Sequence, residues 1–500
     1  MENNQFKINP DFNDLDNPES FINHIDELKK SAVTSPHDGI LQKLIEQFVP
    51  LDFNRLANPD DIPDFTINSK HFRIIAINNV SDVAIQNNWG LCKRYDFIYL
   101  FNGAYWSEID KDEFQKFLGD AAEAMGVRWD YSKDYNFKKQ LYEQFLSEGF
   151  LKTPPENMNQ VLINFLNGTF EVTRQGNKLR PFNRTDFLTY QLPFNFDPKA
   201  TAPLFMTYLN KVQPDIERQR VLQEYLGYLF IRNGSNQLKM EKALLLYGSG
   251  ANGKSVFFLI VTALLGRVNV CNFTLQNLTE EKGFYRAKLP NYLVNYASEI
   301  NGKLETSIFK AMVSGEPIEA CLKYGQPFTM VDYAKFIFNC NELPSNVEQT
   351  NAFFRRFLII PFDVTIPDDE QDKDLHTKII KNELSGIFNW VMEGLTRLLD
   401  QGNFSKCDAA EKALQQYRTE SNSVKMFLLE NDYRSSQTKH QYLKELYHQY
   451  KTFCIDEGMH PYRKNNFAKQ LRNEGINVDR GTGNKTIVYI ESDSNNDLPY

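Results

Sequence analysis

The sequence predicts an α/β protein of several domains built around a phosphate-binding loop, and three observations carry that prediction. At 500 residues the chain exceeds what one hydrophobic core supports, and its 42% apolar and 24% charged residues are those of ordinary folded domains. Between Ala243 and Phe362 short apolar runs alternate with segments of helical period, the pattern of a compact α/β sheet. Within that stretch Ala243–Tyr247 leads straight into Gly248-Ser249-Gly250-Ala251-Asn252-Gly253-Lys254-Ser255, a G-x-x-x-x-G-K-[ST] pattern, followed by a helical run to Leu265.

In chain order, residues 1–70 are rich in Asn, Asp and Pro and are expected to be a weakly ordered lead-in. Residues 71–203 form an N-terminal α/β accessory domain. Two hairpins are expected there, turning at Asn102-Gly103 and Asn167-Gly168 between alternating apolar residues, with a helical stretch from Lys111 to Gly149 between them. Residues 204–235 read as two amphipathic helices forming a collar. The core spans 236–365, with further strands at Tyr292–Ala297, Ala334–Asn339 and Phe357–Phe362. A helical extension covers 366–423, and 424–492 reads as two helices followed by a strand pair, a winged helix, before the tail 493–500.

Composition excludes several classes. The longest apolar run, Val256–Leu265, covers about half of the ~20 residues a membrane span needs, and the start of the chain is polar and acidic. Neither a membrane segment nor a secretory signal is expected, which points to the cytoplasm. Six cysteines with no CxxC pair fit neither a disulfide framework nor a zinc ribbon. A net charge of −8 confines any nucleic-acid contact to local patches.

Each fixed position of the loop has a chemical task. The glycines let backbone N–H groups turn inward around a β-phosphate, Lys254 sets an ammonium against the β- and γ-phosphates, and the Ser255 hydroxyl ligates Mg²⁺. ATP with Mg²⁺ is therefore the expected ligand. Such a loop needs an acid on a second strand, and Glu299 ends the run YLVNYASEI; Ser298 stands where a paired acid is usual, so Glu299 serves both the metal and the attacking water. Asn341, closing KFIFNCN, offers an amide that donates to a γ-phosphate and accepts from that water. Arg355 and Arg356 precede the strand FLIIPF, where an arginine reaches transition-state charge, often across a subunit interface; sequence leaves open which one does so.

Two further regions suggest nucleic acid. LKYGQPFTM carries Lys323 and Tyr324 on a hairpin, a cation and an aromatic suited to gripping a single strand. From Pro461 to Ile490, Arg463, Lys464, Lys469, Arg472, Arg480 and Lys485 face only Glu474 and Asp479, a local net of six minus two, +4, on a helix and wing suited to duplex DNA.

The ordered series resembles the superfamily 3 helicases, and more narrowly the phage and plasmid primase-helicase group that includes the poxvirus primase-helicase. It rests on the loop together with NFLNGTFEV, LPFNFDP, SIFKAMVSGEPI, FNCNELP, FFRRFLIIPF and ELSGIFNWVMEGLTRLL, and runs from about Phe97 to Ile490. The resemblance implies an AAA+-like P-loop core in a homo-oligomeric ring, a hexamer, moving 3′ to 5′ on DNA. It also implies Lys323 as the DNA-tracking residue and Arg355 or Arg356 as a finger in trans. Residues 1–95 show neither zinc ligands nor a strand with paired aspartates, so a separate primase or polymerase is the implied partner. Two other readings stay open: a nucleotide-switched origin-binding or loading platform, and an RNA-directed motor of the same superfamily.

Overall fold

The structure, a computed structural model, describes residues 37–95, 97–148, 160–173, 176–298, 304–323, 325–344, 347–481 and 485–492. The chain divides into two compact units, Met1–Pro154 and Pro155–Tyr500.

In the first unit a three-stranded antiparallel sheet, β1 (Leu91–Arg94), β2 (Phe97–Phe101) and β3 (Trp106–Glu108), lies among the helices Ser69–Gln86, Lys111–Ala124 and Tyr135–Glu148. The expected turn at Asn102-Gly103 forms, and the Asn102 carboxamide accepts from the N–H groups of Ala104 and Tyr105 at 3.0 Å each. One expectation is corrected here. The lead-in is folded from Asp38, with helices Asp38–Ile45 and Phe53–Ala57. Leu41, Leu44, Phe48 and Phe53 enter the same core as Phe114, Leu141 and Phe145. The polar average of residues 1–70 masks three apolar side chains at helical spacing, enough to dock one face.

The boundary expected at residue 203 falls instead at Pro154. The sheet of β4 (Val161–Phe165), β5 (Gly168–Thr173) and β6 (Gly176–Arg180) belongs to the second unit. Its Phe165 packs edge-on at 4.7 Å on Phe388 of the long helix Leu375–Gln401.

The second unit centres on a five-stranded parallel sheet of β7 (Ala243–Tyr247), β8 (Val270–Cys271), β9 (Val294–Ser298), β12 (Lys335–Cys340) and β13 (Phe357–Pro361), in the order β13-β7-β12-β9-β8. Ala243–Leu246 and Val294–Ala297 are buried, as a sheet covered on both faces requires. Since β12 is inserted between β7 and β9, the carboxyl ends of these three strands adjoin, the usual place for a ligand in an open α/β sheet. Between β9 and β12 the chain makes a separate antiparallel hairpin, β10 (Ile318–Cys321) with β11 (Pro327–Met330).

The helices Pro203–Val212 and Ile216–Tyr228 pack against Leu375–Gln401 at glycine-sized distances. A Cβ on Gly227 would lie 2.7 Å from Leu395 Cβ, and one on Gly394 2.5 Å from the Gln223 carbonyl. The fully buried Glu224 is paired there with Arg397 and accepts from the N–H of Ser405 at 2.7 Å.

At the C-terminal end, helices Ser423–Glu430, Leu443–Asp456 and Lys464–Asn473 pack around Phe427, Tyr450 and Phe467. β14 (Tyr433–Ser435), β15 (Gln441–Tyr442) and β16 (Asn477–Arg480) each pair with β17 (Thr486–Ser492). This is one helix and two short strands more than the sequence suggests. No helix among the described residues is long and apolar enough to cross a membrane.

Candidate functional site

The turn from β7 into the helix Lys254–Leu265 is held from several sides. The Gly248 N–H donates to the carbonyl of Cys340 at 3.2 Å, and a Cβ at Gly248 would press into the carbonyl of Phe362. Gly253 has φ +84°, and a Cβ there would lie 2.6 Å from Val212 Cγ1. Both fixed glycines of the pattern are thus required by close approach as well as by backbone freedom. Ala251 sits in the left-handed region at φ +56°, a conformation costing about 1 kcal/mol for a residue with a Cβ. Its carbonyl accepts from Ile366 N–H at 2.8 Å. The Asn252 amide donates to the carbonyls of Phe362, at 2.9 Å, and Ser249, and the Tyr208 hydroxyl donates to the Gly253 carbonyl at 2.8 Å.

Lys254 is 7% exposed, and its Nζ donates to the carbonyls of Gly248 at 2.5 Å and Ser249 at 3.0 Å. Burial lowers its pKa below the usual lysine value, opposed by the nearby Cys340 thiol. The helix it opens has no side-chain cap, since Gly253 supplies none, and Ser255 is exposed on its first turn. An uncapped helix start beside a buried ammonium already held by loop carbonyls suits an anion, which would take over the lysine's charge.

Beside this loop lie the ends of β9 and β12. Asn341 occupies the exposed bend directly after β12. Ser298 is the last residue of β9; Glu299, which follows it, lies outside the described residues. Across the ladder from Ser298 stands Asn339, whose Oδ1 accepts from the Tyr296 hydroxyl at 3.1 Å. Asn339 is a residue that the sequence reading passed over. Its signal was available, a polar side chain inside the otherwise apolar strand KFIFNC.

The two arginines are separated by the structure. Arg356 is 7% exposed; its guanidinium donates to the carbonyls of Lys310 at 3.0 Å and Ala352, and to the Ser314 hydroxyl at 2.8 Å. The Arg355 side chain is 55% exposed, and its contact is an ion pair with Glu241 at 3.1 Å. Glu241, also missed in the sequence, has φ +50° and pairs with Lys239 as well. Both arginines precede β13, whose Phe357 is in register with Ala243 at the start of β7, while the loop follows Tyr247 at its end. Five strand residues at ~3.3 Å each place Arg355 about 16 Å along the sheet from its own chain's loop.

Lys323 is exposed at the tip of the β10–β11 hairpin, and Tyr324 lies outside the described residues. Arg463, Lys464, Lys469, Arg472, Arg480 and Lys485 are all exposed on the C-terminal substructure. Two are partly engaged within it: Arg472 donates to the Val478 carbonyl at 3.2 Å, and the Lys485 ammonium sits 4.8 Å above the Tyr442 ring.

Comparison with known proteins adds kinship. Residues 83–214 match the family described as D5 N terminal like, and residues 246–356 match DUF5906, a family of unknown function. Putative helicase L207/L206 of Acanthamoeba polyphaga mimivirus is 25% identical over 225 residues, 43% of this chain. The chain spans 22% of that protein's length. Two apo structures of the NrS-1 C-terminal region align over 82% of this chain and over 98% and 97% of their own, with 12% identity and TM-scores of 0.42 and 0.41. The chain is thus similar over residues 83–214 to the D5 N-terminal-like family and over part of its length to a putative viral helicase.

Proposed function

We propose that the chain is an ATP-hydrolysing DNA helicase of the superfamily 3 kind, working as a ring of identical copies whose catalytic sites are each shared by two subunits. One observation carries the reading: the phosphate-type loop at the carboxyl edge of the sheet and the exposed Arg355 at the opposite edge, about 16 Å apart along the strands. An arginine so placed serves a neighbour's nucleotide, not its own.

In this reading Gly248–Gly253 and Lys254 bind the β- and γ-phosphates, and Glu299 accepts a proton from the attacking water. Asn341 contacts the γ-phosphate, and Arg355 enters from the next subunit to meet the charge on the transferring phosphoryl group. Ser255 and Glu299 would hold Mg²⁺, which supplies charge neutralisation on the phosphates when bound. Arg356 anchors the segment that presents Arg355. Lys323 and Tyr324 track a single strand, the C-terminal winged helix contacts duplex through its six cations, and a separate primase or polymerase supplies synthesis. A hexamer and 3′ to 5′ movement belong to the same proposal.

The test is displacement of a strand from forked DNA with ATP, comparing the parent, Lys254→Ala, Arg355→Ala and a mixture of the two variants. Hydrolysis without any strand displacement by the parent oligomer overturns the helicase reading in favour of a loading platform. Unwinding confined to RNA duplexes redirects it to RNA. Mixed oligomers of exchanging subunits should recover part of the lost ATPase; recovery no greater than either variant alone removes the shared site.

A further inference from the structure

The carboxyl edge of β9 lacks the acidic pair usual for phosphoryl transfer, because Ser298 precedes Glu299. What the structure sets opposite Ser298 is Asn339 on the inserted strand β12, which is also in register with Leu246 of β7, two residues before Gly248. Asn339 therefore stands between the strand that feeds the loop and the strand that feeds Glu299.

Its face of the sheet follows from its partner. The Tyr296 hydroxyl reaches Asn339 Oδ1, and the Tyr296 ring takes Phe258 edge-on at 4.7 Å, so both residues face the helix Lys254–Leu265 that the loop opens. Tyr296 is fully buried, which fixes its hydroxyl in one place. With the carboxamide oxygen engaged by that hydroxyl, the orientation of the amide is set. Asn339 is only half-buried, and among the described residues its Nδ2 meets no acceptor and is not closed off from solvent. A polar amide inside an apolar strand, fastened by its oxygen and offering its two N–H donors beside the loop, is an arrangement that packing alone does not require.

We infer that Asn339 is a further catalytic amide of this site, donating a hydrogen bond to the oxygen of the water that attacks the γ-phosphate, with Tyr296 as its positioning residue. The inference rests on the hydrolysis proposed above. The water oxygen forms its bond to the γ-phosphorus as the bond from that phosphorus to the β,γ-bridging oxygen breaks. The water's proton passes to Glu299, ADP carries away the bridging oxygen, and Asn339 keeps its own protons throughout.

The experiment measures steady-state ATP hydrolysis, affinity for a non-hydrolysable ATP analogue, and thermal unfolding for the full chain and the variants Asn339→Ala and Tyr296→Phe. Asn339→Ala should lower kcat by at least about tenfold while KM and analogue affinity stay within about twofold, since the lost contact is made to water and not to the bound nucleotide. Tyr296→Phe keeps the ring on Phe258 and should lower kcat by about three- to tenfold with an unchanged unfolding temperature. If Asn339→Ala does not fold, the Tyr296→Phe result decides. Turnover of the decisive variant within twofold of the parent overturns the inference, as does a fall in kcat matched by equal losses of analogue binding or stability. A parent that hydrolyses no ATP overturns the reading of the site and this inference together; an active parent with an unimpaired Asn339→Ala overturns this inference alone.

Discussion

Adjacent arginines of one chemical type have opposite surroundings here, and that difference is measurable. Arg356 satisfies backbone carbonyls and the Ser314 hydroxyl from a buried position, so Arg356→Ala leaves those acceptors unmet and should cost about 2–4 kcal/mol in urea unfolding. Arg355→Ala removes one half-exposed ion pair to Glu241, worth about 0–1 kcal/mol, and should leave the unfolding midpoint nearly unchanged. The same change should cut DNA-stimulated ATPase by about 10³-fold or more if Arg355 is a finger. A loss of activity confined to Arg356→Ala would reverse the assignment. The tandem itself was legible in the sequence. Which member turns toward the helix Thr306–Val313 was not, because that depends on a contact 42 residues away, Arg356 to Ser314.

Lys335 makes a second prediction at this scale. Its side chain is buried, its Nζ donates to Asn233 Oδ1 and lies 4.8 Å from the Tyr228 ring, and burial pushes its pKa down to about 8 against the upward pull of Asp332. Below pH 8 the amine is charged in both folded and unfolded chains, and the fold carries the full cost of burying it. Between pH 8 and the unfolded value of 10.5 the folded amine is neutral while the unfolded one still binds a proton, so stability rises with pH by up to about 1.4 kcal/mol per unit. Relative to Lys335→Met, the parent should gain stability between pH 8 and 10, seen as converging urea midpoints. Midpoints that keep a constant separation across that range would contradict a depressed lysine pKa.

At the scale of elements, local pattern and long-range packing diverge. The strand-loop-helix around Lys254 and the strands ending at Ser298 and Cys340 are each readable from a short window, because apolar period and glycine position carry the information. The insertion of β12 between β7 and β9 is not, and it is this order that brings Asn339 opposite Ser298. The β4–β5 hairpin was legible as a hairpin, yet its membership of the second unit depends on Phe165 meeting Phe388, far apart in sequence. The contact between Ile216–Tyr228 and Leu375–Gln401 is of the same kind. Gly394 lies against the Gln223 backbone, so Gly394→Ala should destabilise by about 1–3 kcal/mol, even though alanine normally favours a helix by about 1 kcal/mol. A stabilised Gly394→Ala chain would mean that the two helices are further apart than their glycines imply.

For the whole molecule, an acidic chain of net charge −8 can meet a polyanion only through local positive surfaces, and the C-terminal substructure offers one in its six exposed cations. Its six cations are not equivalent. Arg472 is drawn to the Val478 carbonyl and Lys485 to the Tyr442 ring, whereas Lys464, Lys469 and Arg480 are exposed on the helix Lys464–Asn473 and at the end of β16. Each phosphate contact contributes about 0.9 to the slope of log affinity against log salt. The combined variant Lys464→Ala, Lys469→Ala and Arg480→Ala should therefore flatten that slope by about 3 for duplex DNA, while basal ATPase stays within about twofold because none of the three adjoins the loop. The buried residues Phe427, Tyr450 and Phe467 hold this substructure together and are untouched, so its fold should survive. A slope unchanged within about 0.5 would assign this face to a protein partner and leave the hairpin at Lys323 to carry the contact with DNA.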